Sequence, residues 1–187
     1  MGIEDALQWS GVNLQEGCSI PEVLPGKFVA VDTSIVIFKS ILSLDDHYCL
    51  VQAIHAPIGQ QFVLKADIQH EIVGRVNSFF RRLHSSGAAK PIIAVFDGRP
   101  YGSKSSEQIS RRDNYFQNWL SAKHLLDNGA STSDRKVKDL LKTSCFPVFE
   151  IVFAVQQHLQ NGVNDLDIDV MVAPFEADAQ LAYPDGK

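Results

Sequence analysis

The stretch PIIAVFDGRP, residues 91–100, decides the fold of this chain. From Pro91 to Phe96 it is apolar and rich in residues that favour strands, and it ends at Asp97 and Gly98. A short apolar run without polar alternation is typical of a strand that is buried on both faces, as in a parallel sheet. We therefore predict a central strand at this position.

Two further runs of the same kind lie on either side of it. Residues 28–31 end at Asp32, and residues 168–173 end just before Glu176. The segments between the three runs are long enough for the helical crossovers that parallel strands need. The predicted fold class is therefore α/β, with a mainly parallel sheet and flanking helices.

Residues 66–86 carry the clearest helical pattern in the chain. Asp67 lies near the predicted start of this helix and Gly87 follows its end, which are favoured positions for these residue types. The apolar positions at helical spacing are Ile68, Ile72, Val76, Phe79, Phe80 and Leu83.

The region between the second and third runs is also predicted to be helical. Residues 107–127 form a more polar helix, and residues 128–134 (NGASTSD) form a loop. Ser133 is predicted to cap a helix that runs to about Gln160. Pro147 should end or kink this helix in the middle, because proline cannot donate the helical hydrogen bond.

Composition limits the class of protein. The 187 residues fit one domain, and 17 basic against 22 acidic residues give a net charge of −5, which argues against a general polycation. The three cysteines are far apart and odd in number, so they predict neither a metal finger nor a disulfide framework and indicate a reducing compartment. No apolar stretch of the sequence approaches the roughly 20 residues of a membrane span.

Acidic residues follow all three predicted strands. They are Asp32, Asp97, and Glu176 with Asp178. A single acid after a strand is commonly a helix cap or turn residue, but parallel strands bring their carboxyl ends to one edge of the sheet. Such a group of carboxylates suits Mg²⁺ or Mn²⁺, and two such ions about 4 Å apart hydrolyse phosphodiesters.

Basic residues follow the second strand at helical spacing. Lys104 lies seven residues after Asp97, and Arg111 lies seven residues after Lys104, so one helix face can carry both. Cations beside a metal site suit a phosphate substrate, since they bind its oxygens and stabilise the charge of the transition state. The alternative interpretation is an ordinary solvated basic helix face.

Five features of the sequence occur in a recognisable order: MGI at 1–3, VAVDTS at 29–34, PIIAVFDGRP at 91–100, the Lys104 and Arg111 spacing, and VAPFEADAQLAY at 172–183. Together they resemble the flap endonuclease/exonuclease 1 family of structure-specific 5′ nucleases, which includes the xeroderma-pigmentosum-G nuclease. The last stretch, an alanine-rich motif with two acids, looks most like eukaryotic exonuclease 1.

The resemblance implies a PIN-like 5′ nuclease fold with a helical arch inserted into it. Residues 1–100 would hold the first two strands and their helices, residues 101–165 the arch, and residues 166–187 the third strand and the start of the internal acidic motif. The family continues into a second acidic motif, T-E-D-S-D, which this sequence lacks. The chain is therefore expected to be the N-terminal part of a catalytic domain, truncated, with weak or no activity.

The resemblance also implies site residues. Mg²⁺ or Mn²⁺, two ions in the complete family site, would be held by Asp32, Asp97, Glu176 and Asp178. Lys104 and Arg111 would be the catalytic cations on the scissile phosphate. The DNA-binding residues would be Gly2, Phe38 as a stacking ring, Lys104, Arg111 and Arg112.

The implied activity is that of a Mg²⁺-dependent 5′–3′ exodeoxyribonuclease or flap endonuclease. Its partner would be DNA with single-strand/double-strand junctions or 5′ ends, with no membrane, in nuclear DNA repair or replication. The main alternative is a non-catalytic relative that serves as a nucleic-acid or protein interaction module. An unrelated α/β phosphatase or hydrolase fits the strand-end acids but not the stretch at 172–183.

Overall fold

The structure is a computed structural model that describes residues 25–56, 65–98, 105–162, 166–177 and 181. In these ranges the chain forms three strands and six helices. The strands are β1 (Ala30–Asp32), β2 (Ile92–Phe96) and β3 (Ile168–Val172). The helices are α1 (Thr33–Leu42), α2 (Tyr48–Ile54), α3 (Ala66–Ser85), α4 (Ser105–Asp127), α5 (Arg135–Lys142) and α6 (Phe149–Gln160).

The three strands form one parallel sheet in the order β1-β2-β3. Val31 of β1 lies opposite Ala94 of β2, and Ala94 lies opposite Val170 of β3. Helices α1 to α3 connect β1 to β2, and α4 to α6 connect β2 to β3. The predicted α/β class, with a parallel sheet and flanking helices, is confirmed.

The prediction that all three strands are buried on both faces is wrong for the outer two. In β2 four of five residues are buried, whereas Val172 of β3 is 51% exposed and Phe28, just before β1, is 77% exposed. Among the described strands, only β2 has a neighbour on each side. Parts of β1 and β3 therefore lie beyond the cover of the helices, and each of these strands contains an aspartate (Asp32 and Asp169), whereas β2 is wholly apolar.

Helix α3 confirms the predicted helix over 66–86. Its buried residues are Ile72, Val76, Phe80 and Leu83, which are spaced so that they share one face. Full burial of side chains of this size contributes roughly 1.5–3 kcal/mol each. Gly87 follows the helix with a φ of 85°, a left-handed conformation that glycine adopts without a steric penalty.

The predicted helices after β2 are confirmed with one correction. The loop over 128–134 separates α4 from α5, and Pro147 lies in the break between α5 and α6. Ser133 is not the cap of α5: Asp134 holds that position, and its Oδ2 accepts a hydrogen bond from the Ser131 amide at 3.0 Å. Both residue types are good caps, and the hydrogen bond of the preceding turn decides which of them occupies the site.

The core consists of a large cluster of buried residues between the sheet and the helices, and a small one under the carboxyl edge of the sheet. The small cluster is formed by Val95, Ala173 and Ala177. In the part of the chain that the structure describes, no helix is both long and apolar enough to cross a membrane.

Candidate active site

The acids at the ends of β1 and β2 lie at the same edge of the sheet. Asp32 is the last residue of β1 and lies opposite Val95 of β2. Asp97 is two residues beyond Val95 and directly follows Phe96, the last residue of β2. Asp32 also caps α1, since its Oδ1 accepts a hydrogen bond from the Ile35 amide at 3.2 Å. The same carboxylate therefore begins a helix and marks the sheet edge, which fixes its position.

Asp97 holds the third acidic segment against the end of β2. Its Oδ1 accepts a hydrogen bond from the Ala177 amide at 2.8 Å, and the Gly98 amide donates to the carbonyl oxygen of Phe175. Glu176 lies between these two contacts in the chain. The structure thus brings the segment of Glu176 next to Asp97, as expected from the ends of neighbouring parallel strands.

The alanines of the motif pack beneath this segment. Ala173 and Ala177 are 2% and 0% exposed and lie against Val95 of the central strand. A larger side chain at either position would overfill a close-packed site. The small residues of the motif therefore set the height of Glu176 above the sheet.

The acidic side chains at this edge of the sheet are of the type that binds a divalent cation. Asp32, Asp97 and Glu176 offer carboxylate oxygens, the hard ligands that Mg²⁺ and Mn²⁺ prefer. Within the described ranges, however, no group of three or more His, Cys, Asp or Glu side chains is arranged so that it could hold a metal ion. The case for a divalent-cation site therefore rests on the carboxylate chemistry of these residues and on their position at one sheet edge.

Ser34 connects helix α1 to the site, and Phe38 lies on the same helix. The Asp97 amide donates to Ser34 Oγ at 3.4 Å, a contact that sequence reasoning missed. Phe38 lies one helical turn further on, so it shares a face with Ser34. It is half-buried and belongs to neither of the two core clusters.

The two arginines predicted to contact DNA lie on helix α4 and are exposed. Arg111 forms an ion pair with Glu107, one turn earlier. Arg112 makes neither an ion pair nor a side-chain hydrogen bond with any residue that the structure describes. The Glu107 pairing could have been predicted from its spacing of four residues.

A groove that was not predicted opens beside Asp32, between α1 and α3. Its volume is about 860 Å³, and its basic residues are Lys39, Arg75 and Arg82. Arg75 is bound to Glu71 at 2.7 Å, while Lys39 and Arg82 form no ion pair inside the described ranges. Sequence reasoning used only the apolar face of α3 and so missed this basic one.

Three predicted site residues lie outside the described residues. They are Gly2, Lys104 and Asp178. The other six predicted residues are placed by the structure, with Asp32, Asp97 and Glu176 at one sheet edge.

Comparison with known proteins identifies distant relatives. The chain is 30% identical over 159 residues to exonuclease 1 of Danio rerio, a match that covers 84% of this chain and 17% of that protein. It is 28% identical over 186 residues to exonuclease 1 of Xenopus laevis, which covers 98% of this chain and 21% of that protein. No family model matches.

The chain spans about a fifth of the length of these curated relatives. The two matches cover 84% and 98% of this chain. They support a distant relation to exonuclease 1 and a function related to nucleases.

Proposed function

We propose that this chain carries the first part of the catalytic site of a metal-dependent 5′ nuclease that hydrolyses DNA phosphodiesters. The observation that carries the proposal is the hydrogen bond from the Ala177 amide to Asp97. It joins the acidic segment of Glu176 to the end of β2, beside the edge that Asp32 occupies. The relation to exonuclease 1 supports the same activity.

In this proposal Asp32, Asp97, Glu176 and Asp178 hold Mg²⁺ or Mn²⁺. When bound, such ions generate a hydroxide nucleophile from water and neutralise charge on the phosphate. The chain itself orients the ligands: α1 holds Asp32 through its capping bond, and the Ala177 amide holds Asp97.

Basic side chains would bind the phosphate and the DNA. Arg111 is exposed, and its partner Glu107 is only one turn away, so a phosphate oxygen can replace that carboxylate with little loss. Lys104 would act with it, and Phe38 would stack on a base. The substrates proposed are DNA with single-strand/double-strand junctions or 5′ ends, in nuclear repair or replication.

The direct test is incubation of the chain with 5′-recessed and 5′-flapped DNA. We expect slow release of 5′-terminal products in millimolar Mg²⁺ and none in EDTA. Millimolar Mn²⁺ should also raise the melting temperature, because an ion that binds only the folded state stabilises it. The absence of both effects would contradict the proposal.

The groove beside Asp32 predicts a second measurable property. Lys39→Ala and Arg82→Ala should each weaken DNA binding and lower the slope of log affinity against log salt by roughly 0.7–0.9, the value for one phosphate contact. Fluorescence anisotropy at several salt concentrations measures this slope. Arg135→Ala on α5 is the control, since this side chain is 97% exposed and lies away from the groove; an equal change in the control would rule out a groove contact.

A non-catalytic interaction module is the second candidate. The observation that favours it is the lack, in the described ranges, of three acidic or other ligand side chains grouped around one point. Such a module would bind DNA equally well with Mg²⁺ and with EDTA and would show no melting shift in Mn²⁺. The same two measurements therefore separate the candidates.

A further inference from the structure

Arg112 is the one predicted site residue, among those that the structure describes, that lines a second, aromatic pocket. This pocket has a volume of about 370 Å³ and is formed where the end of α2, the middle of α4 and the connection from α5 to α6 meet. Its rings belong to His55, Phe116, Phe146 and Phe149, and Arg112 also lines it. This volume falls in the range of about 300–1,000 Å³ that is typical of small-ligand sites.

His55 is held rigidly in the pocket wall. Its ring stacks on Trp119 with the centroids 6.2 Å apart and the planes at 11°, and Phe116 and Phe146 lie 5.8 and 6.0 Å away. Its Nε2 donates to the carbonyl oxygen of Ser144 at 3.0 Å. Burial lowers the pKa of His55, so the ring is neutral near pH 7 and Nδ1 is a hydrogen-bond acceptor.

Two of the phenylalanines are more exposed than a folded protein normally leaves them. Phe149 is 75% exposed and Phe116 is 44% exposed. Phe149 stacks on Phe153 with the ring centroids 5.7 Å apart. Exposed aromatic rings grouped around a pocket are typical of a binding site rather than of a core.

Arg112 supplies the charge of the pocket. It is exposed and, within the described part of the chain, its guanidinium is bound to no carboxylate. An exposed guanidinium next to exposed aromatic rings complements a ligand that has both a planar ring and an anionic group. A nucleotide has both.

We propose that this pocket binds one nucleotide of a single-stranded nucleic acid. The base stacks among the rings of Phe116, Phe146 and Phe149, and its phosphate binds Arg112. Stacking of this kind serves strands of any sequence, because every base has a π-face. The proposal goes beyond the proposed active site, since it needs neither a metal nor cleavage.

Helix α4 would link the two sites. Arg111 and Arg112 are neighbours on it and point about 100° apart. A strand whose phosphate is bound by Arg111 can therefore place another of its nucleotides beside Arg112.

The test uses octathymidylate in EDTA, so that metal binding and cleavage play no part. Trp9 and Trp119 are the two tryptophans of the chain, and Trp9→Phe leaves Trp119, which stacks on His55, as the reporter. We expect the oligonucleotide to change the Trp119 fluorescence. Phe149→Ala should weaken binding about 5- to 100-fold, the loss expected for one stacked base.

Two controls separate stacking from general attraction. Phe28→Ala removes a phenylalanine of nearly the same exposure, 77%, next to β1, and should leave the affinity unchanged. An abasic octamer with the same phosphates should bind more weakly than octathymidylate and should not respond to Phe149→Ala. Arg112→Gln should lower the salt slope of both ligands by roughly 0.7.

The proposal is overturned if octathymidylate and the abasic octamer bind equally well, or if Phe149→Ala matches Phe28→Ala. A Trp119 response to a proline-rich peptide but not to octathymidylate would assign the pocket to a protein partner and would also overturn it. Failure of the cleavage assay leaves these results unaffected, so the two proposals fail separately.

Discussion

Replacing Asp97 by asparagine should abolish metal-dependent cleavage while the fold remains intact. The new amide keeps an oxygen that can accept the hydrogen bond of the Ala177 amide, now 2.8 Å from Oδ1. It removes the negative charge, which is what a divalent cation needs. We expect cleavage in Mg²⁺ to fall about 100-fold or more, because changes even to residues behind the ligands cost metal sites 10- to 100-fold.

The readouts are the initial rate of cleavage and the rise in melting temperature with Mn²⁺. Asp169→Asn is the matched control: this exposed aspartate lies on β3 opposite Ile93, inside the strand rather than at its carboxyl end. It should change neither readout. Robust cleavage by the Asp97→Asn protein would show that the strand-end acids do not form the catalytic site.

Comparison of the Asp97→Ala and Asp97→Asn proteins separates the effect of losing the charge from the effect of losing the hydrogen bond. The Asp97→Ala protein loses both the carboxylate and the acceptor for the Ala177 amide, so it should also be less stable by about 1–3 kcal/mol, the cost of leaving a polar group without its partner. A Tm below that of Asp97→Asn is therefore expected. Equal melting temperatures would indicate that the hydrogen bond adds little to the position of the Glu176 segment.

The elements that were predicted correctly are those whose patterns are local. The apolar run at 92–96 and the helical spacing in α3 depend on neighbouring residues alone, and both elements are present. Which strands lie at the outside of the sheet depends on the whole topology. Val172 is therefore exposed although residues 170–173 around it are all apolar.

The candidate site likewise has parts that the sequence predicts and parts that depend on how the whole chain packs. The placement of Asp32, Asp97 and Glu176 follows from parallel strands, whose carboxyl ends share an edge. The basic groove and the aromatic pocket did not follow, because each is assembled from segments that are distant in sequence. Arg82 and Lys39 line the same groove because α3 packs on α1. The rings of His55 and Phe146 contact each other although more than ninety residues separate them in the sequence.

Gly98→Ala is expected to have the largest effect on stability. An added Cβ would overlap the carbonyl oxygen of Ala173 and would lie 3.0 Å from the carbonyl carbon of Pro174. These are backbone atoms, so they cannot turn away as a flexible side chain does. The segment from Ala173 to Ala177 has to move away from β2, and the hydrogen bonds to Gly98 and Asp97 are lost with it.

Overfilling costs about 1–3 kcal/mol, and each lost hydrogen bond costs about 0.5–1.5 kcal/mol. Together they predict a loss of about 2–6 kcal/mol, or a fall in Tm of roughly 4–24 °C. Gly74→Ala is the matched control, because a Cβ there meets nothing within 4 Å and the residue lies inside α3. It should stabilise the protein by about 0.5–1 kcal/mol, the usual gain for alanine over glycine in a helix.

The Gly98→Ala protein also tests whether metal binding needs the contact between β2 and the segment of Glu176. If the contact between β2 and the segment of Glu176 positions the metal ligands, the variant should show no rise in Tm with Mn²⁺, although circular dichroism shows it to be fully folded before the melt begins. The Gly74→Ala protein should keep it. A destabilised Gly98→Ala protein with an unchanged Mn²⁺ response would mean that the ion needs only Asp32 and Asp97, and that Glu176 is held at the sheet edge for packing alone.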